Sequence, residues 1–228
     1  MKHFITILSA IVLMAISFTS CGESTYAKEN EQARLEREQF VKDSIAKAEF
    51  VRDSLNKITV QELAPLFVQK TDKYLDCTWV EPKSAPKYRD CNGVYCYFQL
   101  KDGVPCNFRF VYQYYASDWL FIRNMIFHSE AGDKSFNITI APDMDRDCGY
   151  GGKIWEWCDV PVYQMSYDND VVKHNVTELL LTAFTCSDNI EVRMNGSEYY
   201  DERKLTKAQI QSIRDTYRYY EALGGKFI

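Results

Sequence analysis

Trp155-Glu156-Trp157-Cys158-Asp159 concentrates more reactive and recognitive side chains than any other pentapeptide of this 228-residue chain. On a strand, alternation sends Trp155 and Trp157 to one side and Glu156 to the other. Two neighbouring indoles make a flat platform on which a sugar ring stacks, although tryptophan pairs more often fill a core; a solvent-facing pair favours the platform. Glu156 and Asp159 invite comparison with the paired carboxylates of a glycosidase. Two acids three apart on a strand, however, do not specify the separation of ~5 or ~9 Å that such a mechanism requires. Asp143, Asp145 and Asp147, followed by Gly149, Gly151 and Gly152, suggest a calcium loop. The EF-hand pattern needs Gly and Glu where Cys148 and Ile154 stand, so a plain acidic hairpin loop is expected and no metal.

Nucleophilic chemistry has less to work with. Neither a G-x-S-x-G elbow nor an H-E-x-x-H pair occurs, and a triad would have to recruit His128 or His174. His128 ends an apolar run and reads as structural; His174 reads as exposed. Tyr199-Tyr200-Asp201-x-Arg203 is polar and dense, yet Arg203 is satisfied by pairing with Asp201 or Glu202. No catalytic site and no cofactor are expected. The eight cysteines are many for this length. Cys77, Cys91, Cys96, Cys106, Cys148, Cys158 and Cys186 are disulfide candidates in an oxidising compartment. The best-placed pair is Cys148 with Cys158, which brackets Gly149-Tyr150-Gly151-Gly152; closing so short a loop contributes roughly 2–3 kcal/mol. Zinc is disfavoured because no C-x-x-C pair occurs.

The compartment is written at the start of the chain. Lys2, an apolar run from Phe4 to Phe18 and the small residues Thr19-Ser20 ahead of Cys21 form an export signal, too short for the ~20 apolar residues of a membrane helix. Phe18-Thr19-Ser20-Cys21 resembles the lipobox of bacterial lipoproteins. The resemblance implies that residues 1–20 are cleaved as a lipoprotein signal peptide and that Cys21 is the lipid-attachment residue, carrying a diacylglycerol on its thiol and an acyl chain, such as palmitate, on its new amino terminus. It also implies residence in a bacterial cell envelope, on the outer membrane of a Gram-negative cell. At about 0.8 kcal/mol per buried methylene, two lipid chains already suffice for stable attachment. Lipidation leaves seven thiols, so at least one stands outside any internal pairing.

A lipidated linker, 21–27, leads to a segment of different character. Between Lys28 and Lys57 charges of both signs alternate with aliphatic residues, and neither Gly nor Pro occurs. The spacing predicts a charged helical stalk over 28–58, supported by Glu38 with Lys42, Asp43 with Lys47 and Asp53 with Lys57 at four-residue intervals. Val41, Ser44, Ala48, Val51, Leu55 and Ile58 form a weak coiled-coil seam, so the oligomeric state stays open. Asp43-Ser44-Ile45 and Asp53-Ser54-Leu55 resemble the O-glycosylation motif of exported proteins in one large group of Gram-negative bacteria. Ser44 and Ser54 are therefore either glycan sites or plain helix-surface positions.

The rest, 59–228, reads as a single α+β globular domain. Thr59 is expected to cap a helix through Val60, Leu63, Phe67 and Val68, with Pro65 disturbing its middle. Aromatic and β-branched runs then predict strands at 94–100, 108–115, 119–128, 136–140 and 154–157. Asp102-Gly103 signals a tight hairpin. Asn175-x-x-Glu178 and Thr206-x-x-Gln209 are capping-box patterns ahead of two helices, the second carrying Ile210, Ile213, Tyr217 and Tyr220 on one stripe. The predicted architecture is an aromatic-rich antiparallel sheet with helices packed on one face, preceded by the stalk.

With a net charge of −5, pI near 5.3 and no basic cluster, nucleic acid is not an expected partner. The membrane, through the lipid anchor, and an envelope protein or glycan are. The leading expectation is a non-enzymatic envelope lipoprotein presenting an interaction domain; the alternative is a surface glycan-binding module using exposed Trp and Tyr. An exposed aromatic row would favour glycans, a large apolar patch a protein partner, and a deep cleft with a perturbed carboxylate an enzyme.

Overall fold

The computed structural model describes residues 26–131, 134–162 and 184–226. The signal segment, Cys21, His174 and the helix expected after Asn175 lie outside them. The chain divides into two compact units, Met1–Asp53 and Ser54–Ile228. Helix α1 spans Tyr26–Leu63, 38 residues, or ~57 Å at 1.5 Å per residue. Arg34 with Glu38 is an ion pair on it and Gln39 donates to Asp43, whereas the three expected acid–base pairs are not closed. Pro65 has no N–H to continue the ladder, so the chain tightens into one 3-10 turn, Ala64–Leu66, and becomes extended at Phe67. This corrects the helix expected through Val68: Phe67 and Val68 open a strand instead.

Ten strands follow. They are β1 (Phe67–Asp72), β2 (Cys77–Pro82), β3 (Gly93–Lys101), β4 (Val104–Ala116), β5 (Asn124–Ala131), β6 (Lys134–Ile140), β7 (Asp145–Cys148), β8 (Ile154–Pro161), β9 (Ile190–Asn195) and β10 (Tyr200–Lys204). Six form one sheet in the order β1-β2-β3-β4-β8-β7 and four another in the order β10-β9-β5-β6, with every pairing antiparallel. Asp102 and Gly103 join β3 to β4 with φ of +52° and +77°, the positive pair that a type I′ turn requires. Helix α2, Lys207–Ala222, starts at a closed capping box between Thr206 and Gln209 and is followed by Gly224 at φ +94°.

The fold is α+β, as the sequence predicts, but the cover is part helix and part sheet. The inner face of the six-stranded sheet carries Val80, Val94, Cys96, Phe98, Phe108, Phe110 and Tyr112, all buried. One end meets α2: Tyr220 stands edge-on to Phe98 at 5.3 Å and to Phe108 at 5.1 Å, and Tyr219 stacks on Phe67 at 4.7 Å. The other end meets the four-stranded sheet, where Phe127 packs edge-on against Phe110 at 5.8 Å and Tyr112 at 6.3 Å. Such pairs contribute about 0.5–1.5 kcal/mol beyond the area they bury. On α2 the buried stripe is Ile210, Ile213, Thr216, Tyr219 and Tyr220. Arg214, off that stripe, donates to the Phe184 and Ser187 carbonyls at 2.6 and 2.7 Å and pairs with Asp188.

Candidate functional site

On strand β8 the inward side chains are Ile154, Glu156 and Cys158, and Trp155, Trp157 and Asp159 point the other way. Alternation on the neighbouring strands puts Trp79 and Glu81 (β2), Tyr95 and Tyr97 (β3), and Arg109, Val111 and Gln113 (β4) on that same outer side. Register brings them level: Tyr95, Val111 and Asp159 share one row, Gln113 and Trp157 the next. The outer face of this sheet is thus a floor of half-buried aromatic rings, with Trp79 to Tyr97 at 5.3 Å and Tyr95 to Tyr97 at 6.3 Å between centroids.

A wall rises over one side of this floor. Residues 83–92, between β2 and β3, are held against the sheet by the buried Gln113, whose Nε2 donates to the Cys91 carbonyl at 2.6 Å and the Tyr88 carbonyl at 3.3 Å. The Asn92 side chain accepts from the Tyr115 N–H at 2.9 Å, and Gly93 lets Pro86 close in, because a Cβ there would stand 2.8 Å from Pro86 Cγ. Near the β7 edge Gly149 performs the same service for Trp155: a Cβ would sit 2.3 Å from the indole. The hollow between is an open groove of about 790 Å³.

Polar groups are interleaved with the rings. Arg109 Nε donates to Asp159 Oδ1 at 2.6 Å and its Nη2 to the Asp159 carbonyl at 2.8 Å, while the Tyr97 hydroxyl donates to the second carboxylate oxygen. Partial burial first, and the Asp159 carboxylate second, hold the Tyr97 phenol well above its ordinary range, so the hydroxyl remains a donor. Burial, then Glu81 and Asp159, also raise the Tyr95 phenol. Lys70 pairs with Glu81 at the rim. The Arg89 guanidinium, from the loop wall, lies 3.9 Å over the Trp157 ring.

Glu156 belongs to the other side of the sheet. It is 0% exposed; its carboxylate accepts the N–H groups of Leu120, Phe121 and Ile122, each at 2.8 Å, and the Arg146 Nε at 3.0 Å. Those three amides therefore have no need of a strand partner, and the strand expected over 119–128 begins only at Asn124. Glu156 and Asp159 lie on opposite faces and cannot act on one glycosidic bond.

The structure separates the expected disulfide pair as well. Cys148 sits opposite Ile154 and Cys158 is four residues further along β8, opposite Tyr112. Four residues of strand span ~13 Å, well beyond the ~7 Å within which Cα atoms can be bridged. Both thiols are free, Cys148 exposed and Cys158 in the core, as are Cys77, Cys91, Cys96, Cys106 and Cys186. Ser44 and Ser54 lie on α1, each half-buried. The expected acidic hairpin loop contains β7, an edge strand, and among the described residues no three metal-ligating side chains converge.

A second hollow, of about 470 Å³, lies over β5, β9 and β10 and includes His128, Arg193 and Glu202. His128 Nδ1 is 2.8 Å from Asn137 Oδ1, and Arg193 pairs with Glu202. Its lining includes no Trp or Tyr ring. The groove on the six-stranded sheet is the better candidate. Of its residues, Trp155 and Trp157 were legible from alternation. Trp79 and Arg89 were not, because β2 and the loop after it carry no clear periodicity. Comparisons of the chain with family models, with curated proteins and with solved structures find no match.

Proposed function

We propose that this protein is a non-enzymatic lipoprotein of the bacterial cell envelope, anchored through Cys21 and carried behind the helical stalk, whose domain binds a glycan chain along the Trp and Tyr groove. The observation that carries the reading is the row of half-buried rings lining the groove, Trp79, Tyr95, Tyr97 and Trp157, interleaved with Arg109 and Asp159. Sugars present apolar C–H faces and a rim of hydroxyls, and a surface alternating rings with fixed donors and acceptors matches both. No described helix is long and apolar enough to cross a membrane, which is compatible with attachment through lipid.

The test uses the full-length protein in detergent micelles, titrated with neutral and acidic oligosaccharides while tryptophan fluorescence is followed. Trp79→Ala and Trp157→Ala should each weaken binding roughly tenfold or more, the cost of losing an aromatic anchor. Absence of binding to any saccharide, or unchanged affinity in both variants, would refute the proposal. A protein contact is supported by a separate feature, the exposed Phe121, Tyr199 and Tyr200 rings near the loop that Glu156 clamps.

A further inference from the structure

Resting on the groove reading, a more specific inference follows from how its charges are partnered. Lys70 is neutralised by Glu81, and Arg109 by Asp159. Arg89 is different: it is exposed, and among the described residues no carboxylate lies within ion-pair distance of it. It is nevertheless not a loose surface side chain. The guanidinium is laid on Trp157 at 3.9 Å, and the loop that bears it is fixed by Gln113, Asn92 and the close contact of Pro86 with Gly93.

The guanidinium is held over the ring face, in the same groove lining as the neighbouring Tyr95 and Tyr97 rings, where its N–H edge is within reach of a ligand lying on the aromatic floor. A planar carboxylate meets such an edge with two parallel hydrogen bonds, a match that a hydroxyl group cannot make. The same wall adds Lys83 and Lys87 against a single acid, Asp90, in a chain whose net charge is −5. Asp145 and Asp147 of the edge strand β7 stand opposite Trp157 and Trp155 in the register, beside the ring on which Arg89 lies.

We propose that the groove takes an acidic saccharide, a hexuronate-containing chain whose ring carboxylate pairs with Arg89 while the sugar lies over the Trp and Tyr floor. The carboxylate would point at the loop wall, where Arg89, Lys83 and Lys87 outnumber Asp90.

The probes are oligomers of galacturonate, glucuronate and mannuronate, each compared with the same oligomer after carboxyl reduction, titrated into the full-length protein in micelles. At least one hexuronate should bind roughly tenfold more tightly than its reduced form, in line with a charge-assisted pair of hydrogen bonds. Arg89→Gln should bind the two forms alike with an unchanged thermal midpoint, and Arg89→Lys should fall between. Equal affinity of the wild type for charged and reduced chains, or a preference that survives Arg89→Gln, overturns the inference while leaving the glycan reading in place. So does competition by polyglutamate at the same strength, which would mark a bare anion site. If no saccharide of any kind binds, the glycan reading itself fails and this inference goes with it.

Discussion

Replacing Glu156 by Gln removes one negative charge and almost no volume, and its effect can be worked out from the contacts. Oε1 accepts from Leu120 and Phe121, Oε2 from Ile122 and Arg146. Whichever way the amide is turned, its NH2 group faces two donors, so two hydrogen bonds become donor–donor contacts in a site that water does not reach. Phe121 adds to the cost, since it is held at φ +55°, a conformation that non-glycine residues rarely adopt. Removing one partner of a buried ionic cluster typically costs about 3–5 kcal/mol, against a total stability of roughly 5–15 kcal/mol. With a urea slope near 2 kcal/mol/M, the unfolding midpoint of Glu156→Gln should fall by about 2 M. Arg146 is the control. Its side chain is 36% exposed, and its loss leaves the buried carboxylate with all three amides but without its counter-charge, so Arg146→Ala should cost less, about 2 kcal/mol. Urea titrations followed by fluorescence of the four tryptophans measure both. A loss below about 1 kcal/mol for Glu156→Gln, or equal losses in the two variants, would refute the view that the carboxylate acts as the cap of this loop.

Two further outcomes are expected. Burial pushes the Cys158 thiol from its ordinary 9.0 up to about 12, so between those values the unfolded chain releases a proton that the folded one keeps; the associated stability is complete below pH 9 and is lost as pH rises toward 12. Tyr97 and Tyr112, raised chiefly by burial, add to the same slope. Cys158→Ala should therefore flatten the fall of stability between pH 9 and 11 in urea melts, and an unchanged slope would count against a buried neutral thiol. In the native host, Cys21→Ser should abolish acylation and release the protein from the membrane fraction; mass spectrometry showing a bare thiol or an intact leader on the wild-type chain would sink the anchor.

Local signals survived where the interactions that decide them are local. Asp102-Gly103, the alternation of Phe108, Phe110 and Tyr112, and the Thr206 to Gln209 box each specify their element within a few residues, and each is present in the structure. Strand β1 was hidden because Val60, Leu63 and Phe67 keep helical spacing past Pro65, while the pairing with β2 that overrides it comes from residues further along. The run from Trp119 to His128 is apolar on both faces and reads as one central strand. Only the carboxylate of Glu156, more than thirty positions away, turns its first half into a clamped loop. The cysteine pairing failed for a similar reason: nearness in sequence says nothing about which face of a strand a thiol occupies or how far the hairpin register carries it. In the groove, the outward pair Trp155 and Trp157 follows from period two alone, whereas Arg89 reaches Trp157 through a loop whose path depends on Gln113 two strands away in the sequence.

That division bears on how such a surface acquires selectivity. The floor of the groove is the reverse side of the core: Tyr95 and Tyr97 alternate with Cys96 and Phe98, and Trp155 and Trp157 with Glu156 and Cys158, so the floor's spacing is fixed by the same register that buries the inner residues. It cannot be altered freely without disturbing the fold, and what it offers, flat apolar rings at 5–6 Å centroid separations, suits many sugars alike. The wall is under a looser constraint. Residues 83–92 meet the sheet through backbone carbonyls, Asn92, the Pro86 contact and Arg89 on Trp157, and the side chains of Lys83 and Lys87 take no part. Charge on the wall can therefore change while the loop keeps its place. Because the loop backbone is ordered on folding, a ligand would meet it without a further loss of backbone entropy. On the proposed glycan reading, affinity for sugar rings would reside in the sheet, and discrimination among them in the loop.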